Sequence, residues 1–168
     1  MQMPSTHPAL QIARDIFASD GWAITDALIR DGEAVVVELR KPGQRLPFVC
    51  VSRDGDWPTP GAVSGGGQPV PSERRRTTLR HEPFECFSTI AAGWPPDGGQ
   101  AAPGSVWMTV NAFAAEDTDV VRVTSSVDSH EARTRPDGSF LTLLRAAFRD
   151  EPRFEVQRAN GEWREVIP

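Results

Sequence analysis

The sequence predicts a mostly β fold of the α+β class, with an N-terminal helix on an antiparallel meander and a C-terminal antiparallel sheet of sandwich type. Three observations predict it: one short segment has helical periodicity, the later segments are short and strand-like, and turn dipeptides separate them. Asp-Gly or Asn-Gly occurs six times, and this pair is favoured where a tight turn needs a positive φ angle. The length of 168 residues predicts a single domain, 1–168.

The predicted helix runs from Pro8 to Ala18, where apolar residues recur at the i, i+3, i+4 and i+7 spacing of one helical face. Thr6 is the predicted N-cap, and Pro8 lies in the first turn, where its missing N–H leaves no bond unmade. Asp20-Gly21 supplies the residue of positive φ that ends the helix. Because the helix is short, we expect packing rather than its own propensity to hold it.

A three-stranded antiparallel meander is predicted next. Its strands are 22–30, 33–40 and 46–53, and the first two are joined by a hairpin turn at Asp31-Gly32. The second strand is rich in β-branched residues and alternates apolar side chains on one face, as a half-buried strand does.

The rest of the chain is predicted to form further short strands at spacings typical of an antiparallel sheet or sandwich. These strands are 82–92, 106–112, 119–125, 129–134, 139–145, 153–158 and 163–167. The composition of Leu141–Phe148 is also compatible with a helix, although alternation favours a strand at its start.

Two breaks rich in Gly and Pro interrupt this pattern. Residues 55–71 hold nine Gly or Pro in 17 positions, and residues 93–104 hold seven in 12. Neither break is expected to contain a helix or a strand, and such long loops serve as connectors or as binding loops. The alternative to one domain is a pair of subdomains, 8–92 and 105–168, joined near the second break.

The tail has a recurring rhythm of short strand-like motifs, Val121-Arg-Val, Glu131-Ala-Arg and then Asp137-Gly-Ser-Phe-Leu. Over about 45 residues it resembles uncharacterised β-rich proteins of high-GC actinobacteria. The use of Arg at every basic position except Lys41 is similar to the usage of such genomes. The resemblance implies a bacterial source and no particular activity or site residue.

The charge balance points away from nucleic acids and membranes as partners. The formal net charge is −5, whereas binding to nucleic acid or to an anionic membrane depends on positive charge. The longest aliphatic run, Ala34 to Val37, is far shorter than a membrane span. The first residues lack the basic and apolar regions of a secretory signal, so we expect a cytoplasmic protein.

Motifs of the common enzyme classes are absent from the sequence. There is no G-x-S-x-G, no G-x-x-x-x-G-K-[ST], no H-E-x-x-H and no G-x-G-x-x-G that opens a helix. The run Gly65-Gly-Gly67 lacks the Lys and the helix that a phosphate-binding loop needs. We therefore expect no cofactor, and the chain leans away from being an enzyme.

The two cysteines, Cys50 and Cys86, lie in apolar stretches, and their spacing fits no metal or redox motif, so they are expected to be buried free thiols. A disulfide between them is the alternative. The enzymatic alternative is a small hydrolase or thiol enzyme, with Cys86 or Cys50 as nucleophile beside His81 or His130. If His130 is not part of such a pair, we expect it on a sheet surface. His7 is expected in a mobile N-terminal segment.

The segment Arg74–Cys86, RRRTTLRHEPFEC, is the richest in chemical groups. Arginine binds phosphate or carboxylate through paired hydrogen bonds that lysine cannot make. On a strand, Arg74, Arg76 and Arg80 would share one face, so we assign them as candidate ligands of an anion or an acidic partner.

Two other interpretations of this segment stay open. His81, Glu85 and Cys86 offer nitrogen, oxygen and sulfur ligands for a metal, but Pro83 interrupts the helix that their spacing would use. Alternatively, the segment is a solvated edge whose charges prevent aggregation as the chain enters a buried strand. We expect no metal site.

Tryptophans flank the two breaks and complete the candidate site. Trp57 and Trp94 are each followed by Pro, and aromatic residues on loops act as anchors in interfaces. The sequence thus favours a non-catalytic binding or accessory module that contacts a protein or a small polar or anionic ligand through loops 55–80 and 93–104.

Overall fold

A computed structural model describes residues 6–60, 67–93, 104–147 and 149–168. It confirms the predicted class, since the described chain is mostly β with one N-terminal α-helix and antiparallel sheets. Helix α1 spans Pro8–Phe17, and a 3-10 turn at Ala18–Asp20 follows it. The strands are β1 Ala23–Arg30, β2 Ala34–Lys41, β3 Gln44–Val51, β4 Gln68–Pro69, β5 Phe84–Ala92, β6 Ser105–Ala114, β7 Thr118–Thr124, β8 Ser129–Arg133, β9 Ser139–Leu141, β10 Leu144–Ala147, β11 Arg153–Arg158 and β12 Trp163–Val166.

The strands form three antiparallel sheets. The first sheet has the order β1-β2-β3-β4 and contains the predicted meander. The middle sheet has the order β10-β6-β5, with β9 also paired to β6, and the third sheet has the order β12-β11-β7-β8. The predicted C-terminal sheet is thus divided between the middle and third sheets, because β6 turns away from its sequence neighbour β7 and pairs with β5.

Helix α1 begins at a cap that differs from the predicted one. The Nδ1 atom of His7 accepts the N–H of Ala9 at 3.2 Å, so His7 and not Thr6 is the N-cap. A ring nitrogen satisfies the same unpaired helix donor that a hydroxyl would. His7 is therefore part of the fold and not of a mobile segment. At the other end Gly21 takes a φ of 77°, as the Asp20-Gly21 pair predicts.

Three apolar clusters stack the elements in layers. The first joins the buried face of α1 to the side chains of β2 and β3 that point toward it. The second joins the opposite face of the first sheet to the middle sheet through residues such as Val36, Val49 and Trp107. The third fills the space between the middle and third sheets, with Val110, Val121 and Val156 fully buried. The order of layers is therefore helix, first sheet, middle sheet, third sheet.

The middle sheet is covered on both faces, which explains the composition of β6. Alternate residues of β6 belong to different clusters, Trp107 to the one beside the first sheet and Met108 to the one beside the third. Every residue of β6 after Ser105 is buried. A strand covered on both sides reads as a continuous buried run and not as an alternating one.

One open alternative is settled, and one expectation needs correction. Residues 141–147 are not helical: β9 ends at Leu141 and β10 begins at Leu144. The break 55–71, expected to hold no strand, contains β4, which pairs with β3 through Gln44 and Arg45. Within the described residues, no helix has the length and apolar character needed to cross a membrane.

Candidate functional site

The Arg-rich residues lie on residues 70–83, which join β4 to β5 and which we call the connector. It contains no strand or helix, so its arginines do not share a strand face as the sequence suggested. The turn between β6 and β7 fixes it in place: the N–H of Glu116 donates to the carbonyl of Arg75 at 2.8 Å. Thr78 is buried, and its N–H and hydroxyl both donate to one carboxylate oxygen of Asp117, at 2.8 and 2.6 Å.

Arg74 holds the connector against the middle sheet. Its guanidinium donates to the carbonyl oxygens of Ala114 at 2.9 Å and Ala115 at 2.8 Å. Longer bonds reach the carbonyls of Thr118 and Pro136. Because its donors are directed at main-chain oxygens, Arg74 supports the structure and has no donor pair left for a ligand.

Arg75 is also used within the connector. It donates to the carbonyl of Glu82 and lies 3.9 Å from the carboxylate of Glu85. Glu82 has a φ of 69°, so the chain turns sharply just before β5. This bond stabilises that turn.

Arg76 and Arg80 differ from their neighbours. Both are exposed, and in the described ranges neither guanidinium has a hydrogen bond or an ion pair. Each retains the five N–H donors of a guanidinium. Of the predicted anion ligands, the structure thus leaves these two available.

Apolar side chains are exposed beside these arginines. Leu79 is 47% exposed and lies between them in the chain, and Ile167 is 53% exposed. The N–H of Ile167 donates to the carbonyl of Arg80 at 3.0 Å, which holds Ile167 against the connector. We call Arg76, Leu79, Arg80 and Ile167 the Arg76–Arg80 surface.

Both cysteines are free thiols, as expected. Cys50 is fully buried beneath α1, and burial raises its pKa to about 12. Cys86 is half-buried and not fully buried as expected, and burial together with the nearby charge of Glu85 raises its pKa. A nucleophilic cysteine needs a lowered pKa, and in the described chain no hydrogen bond joins either thiol to a histidine. The geometry therefore gives no support to a Cys–His pair.

His130 does not lie on an open sheet surface as the sequence suggested. It is half-buried, and its Nδ1 atom accepts the N–H of Leu143 at 3.1 Å. Burial and the nearby charge of Arg30 lower its pKa to about 4. His130 is thus neutral at pH 7 and links the third sheet to the middle sheet.

The predicted aromatic anchors contribute little exposed surface in the described chain. Trp57 is half-buried, packs against the cluster under α1 and touches the ring of His7 at a centroid distance of 4.6 Å. The described residues do not include Trp94, which belongs to residues 94–103 of the second break, or residues 61–66 of the first break.

A groove of about 260 Å³ lies between β1 and β8, with Leu141 also lining it. Two of its charged residues are already paired, Asp26 with Arg135 and Glu131 with Arg122. The third sheet contributes Arg133, which is exposed and has no partner in the described ranges. Among the residues that the structure describes, the groove therefore presents one unpaired charge, that of Arg133.

A buried ionic cluster, which the sequence did not predict, lies between the first and middle sheets. Glu38 is 1% exposed and accepts bonds from Arg45 at 2.9 Å, Arg40 at 2.7 Å and Arg135 at 2.6 Å. Burial alone would raise the pKa of Glu38, but these three guanidiniums hold it below its ordinary value. The available signal was Glu38, which lies on the same face as Val36 and within the apolar run 34–39.

Metal ligands do not cluster in the described chain. Within the described ranges there is no group of three or more His, Cys, Asp or Glu residues that could hold an ion. Asp117, which lies in an acidic turn, is engaged by Thr78 and by Arg158 at 3.0 Å.

Comparisons with protein-family models, with curated proteins and with solved structures found no match to this chain. Its function is therefore inferred from the chemistry of the residues described above.

Proposed function

We propose that the protein is a non-catalytic binding module that recognises an acidic protein partner through the Arg76–Arg80 surface. One observation carries the proposal: Arg76 and Arg80 are exposed and have no partner among the described residues, on a connector whose other arginines hold it in place. A carboxylate that approaches either guanidinium can form the paired hydrogen bonds typical of Arg–carboxylate contacts.

The fixed connector favours binding for an entropic reason. Association costs free energy when loops and side chains become ordered at the interface. The backbone around Arg76 and Arg80 is already tied to Asp117, Glu116 and Ile167. Only the two side chains and not the connector itself have to be ordered on binding.

The apolar residues favour a protein over a small anion. Interfaces combine apolar and arginine side chains at their centre, and a few such residues carry most of the binding energy. Leu79 and Ile167 supply exposed apolar area, Leu79 from the same segment and Ile167 from the strand end bonded to Arg80. A small anion would neutralise the charge but would leave this apolar area in water.

Trp57, which the sequence grouped with this surface, packs on a different part of the fold. Trp57 packs against α1 and the first sheet, whereas the connector lies against the β6–β7 turn and the end of β12. We therefore restrict the proposed contact to the connector and Ile167.

We also propose a cytoplasmic location, because both thiols are free and the cytosol keeps thiols reduced.

The test is capture of partners from a bacterial extract by three immobilised forms of the chain: wild type, Arg76→Ala/Arg80→Ala and Arg133→Ala/Arg153→Ala. The last is the matched control, since it removes two other exposed arginines that lack partners in the described chain. We expect the first double variant to lose at least about tenfold of a specific capture, the loss of one or two charge-assisted contacts. The control should retain that capture, and all three should melt at nearly the same temperature.

Equal capture by all three forms would contradict the proposal. Competition by millimolar citrate or phosphate, with no protein lost from the double variant, would indicate a small-anion site instead.

A further inference from the structure

Three buried polar atoms lack a hydrogen-bond partner in the described chain. They are the Nε atom of Arg45, the Oε1 atom of Gln68 and the Oδ1 atom of Asn111. Arg45 and Asn111 are fully buried. Native proteins leave few such groups unpaired, so three in one region require an explanation.

Strand pairing and hydrogen bonds bring the three side chains to the same part of the space between the first and middle sheets. Arg45 and Gln68 lie directly opposite each other in the β3–β4 pair. The guanidinium of Arg45 also donates to the carbonyl of Ala112 at 3.1 Å, next to Asn111 on β6.

The amide groups of Gln68 and Asn111 reach the same stretch of β5. Gln68 Nε2 donates to the carbonyl of Cys86 at 2.9 Å, and Asn111 Nδ2 donates to that of Ser88 at 3.3 Å. Those two carbonyls are two residues apart, which is less than about 7 Å along a strand.

The orientation of both amides is fixed by these bonds. Each amide nitrogen faces a carbonyl oxygen, and rotation of the amide would place two oxygens against each other. The unpaired atoms are therefore true acceptors. The site therefore presents the side-chain amide oxygens of Gln68 and Asn111 as acceptors and the Nε–H group of Arg45 as a donor.

The β5 strand is irregular at this point. Its register with β6 shifts between Glu85 and Ser88, so that Cys86 and Phe87 together oppose Ala112. Cys86 takes a φ of 49°, in the left-handed region. Such a bulge interrupts the ladder and leaves the extra residue outside the regular strand pairing.

From this geometry we propose that one buried water molecule bridges Arg45 Nε, Gln68 Oε1 and Asn111 Oδ1. Water donates two hydrogen bonds and accepts one, which matches two acceptors and one donor, and buried waters make about three bonds. A cation would be repelled by the guanidinium, and an anion by the two carbonyl oxygens. The water joins β4 of the first sheet to the middle sheet beside the bulge.

A crystal structure of the wild-type chain tests the proposal directly. The expected result is an ordered water within hydrogen-bond distance of all three atoms. The proposal is overturned if the three atoms remain unpaired in clear density, or if they bond to one another or to other protein groups.

A double-variant cycle supplies a second readout in solution. Gln68→Met and Asn111→Leu each remove one acceptor at similar volume, and each should raise the unfolding equilibrium constant in urea. If both residues bind the same water, the unfolding equilibrium constant of the double variant should rise less than expected. The rise should be several-fold smaller than the product of the two single-variant increases. Gln68→Met combined with Ser125→Ala, in the β7–β8 turn, is the matched control and should give the full product. A full product for the Gln68–Asn111 pair as well contradicts a shared water.

Discussion

Gly138 sits in a space that admits no side chain. Its φ is 82°, and an added Cβ would lie 2.5 Å from the carbonyl oxygen of Ala114 and 2.7 Å from Arg74 Nε. We expect Gly138→Ala to destabilise the fold by about 2–4 kcal/mol, the sum of left-handed strain and an overpacked contact. Urea denaturation measures this directly.

Gly161 provides the matched control for Gly138. It has the same φ of 82°, but an added Cβ would meet nothing within 4 Å. Gly161→Ala should therefore cost only the backbone strain, about 1–2 kcal/mol. If the two variants lose equal stability, Arg74 does not clamp the connector as tightly as its four carbonyl contacts indicate.

His130 gives the fold a dependence on mildly acidic pH. Its pKa is lowered from 6.5 to about 4 in the folded chain. Between these two pH values the imidazole is therefore protonated in the unfolded chain and neutral in the folded chain. Stability from this group is complete above pH 6.5 and falls as the pH falls toward 4, by about 2–3 kcal/mol at roughly 1.4 kcal/mol per pH unit. Asp137, whose pKa is lowered to about 2, loses its contribution only below its ordinary 3.8.

The His130→Asn variant isolates that effect. Its amide oxygen can still accept the N–H of Leu143, but it does not titrate. The wild type minus variant difference in unfolding free energy should be flat above pH 7 and decline between pH 6.5 and 4. Parallel pH profiles would show that another group controls stability in this range.

The arginines of the connector show what residue-level prediction can and cannot reach. The sequence identifies the cluster, because arginine density is a local property. It cannot show that, within the described chain, the guanidinium of Arg74 is hydrogen-bonded whereas that of Arg80 is not. The carbonyl oxygens that accept from Arg74 belong to residues about 40 positions away. For the same reason the half-buried state of Trp57 was not predictable, because α1 and His7 cover it only after folding.

At the scale of elements, turn chemistry made the strands predictable. Each described Asp-Gly or Asn-Gly pair places its glycine at positive φ: Gly21, Gly32, Gly55, Gly138 and Gly161. These preferences act within four residues, so they survive without tertiary context. The division of the C-terminal strands into two sheets and the two-residue β4 depend on pairing between distant segments, which no local pattern specifies.

The buried ionic cluster makes the contact between the first and middle sheets dependent on one carboxylate. Glu38→Gln would leave Arg45, which is fully buried, and Arg135 without their shared negative partner. We expect a loss of about 3–5 kcal/mol, the usual cost of an uncompensated buried charge. Thermal and urea unfolding measure it.

Glu131→Gln is the control for that substitution. Glu131 pairs with Arg122 at 2.7 Å, but its side chain is 53% exposed, and exposed pairs contribute less than about 1 kcal/mol. A similar loss in both variants would mean that the buried cluster is hydrated and that burial does not set its strength.

At the scale of the whole molecule, the middle sheet is the common layer of two apolar clusters. One cluster binds it to the first sheet and the other to the third. The possible boundary between subdomains 8–92 and 105–168 falls between β5 and β6, which are paired neighbours in that sheet. Separating the two halves would expose the main-chain groups of both strands and part of both clusters.

We therefore expect the first and third sheets to unfold in one cooperative transition. In a Cys86→Ser variant, iodoacetamide reports opening of the first sheet at Cys50, which lies fully buried beneath α1. Pulsed hydrogen exchange of β7 and β11 reports the third sheet. Both probes should give the same urea midpoint, because each sheet loses its packing when the middle sheet opens. Alkylation of Cys50 while β7 and β11 remain protected would show two independent units, and rapid alkylation without urea would instead support a reactive thiol.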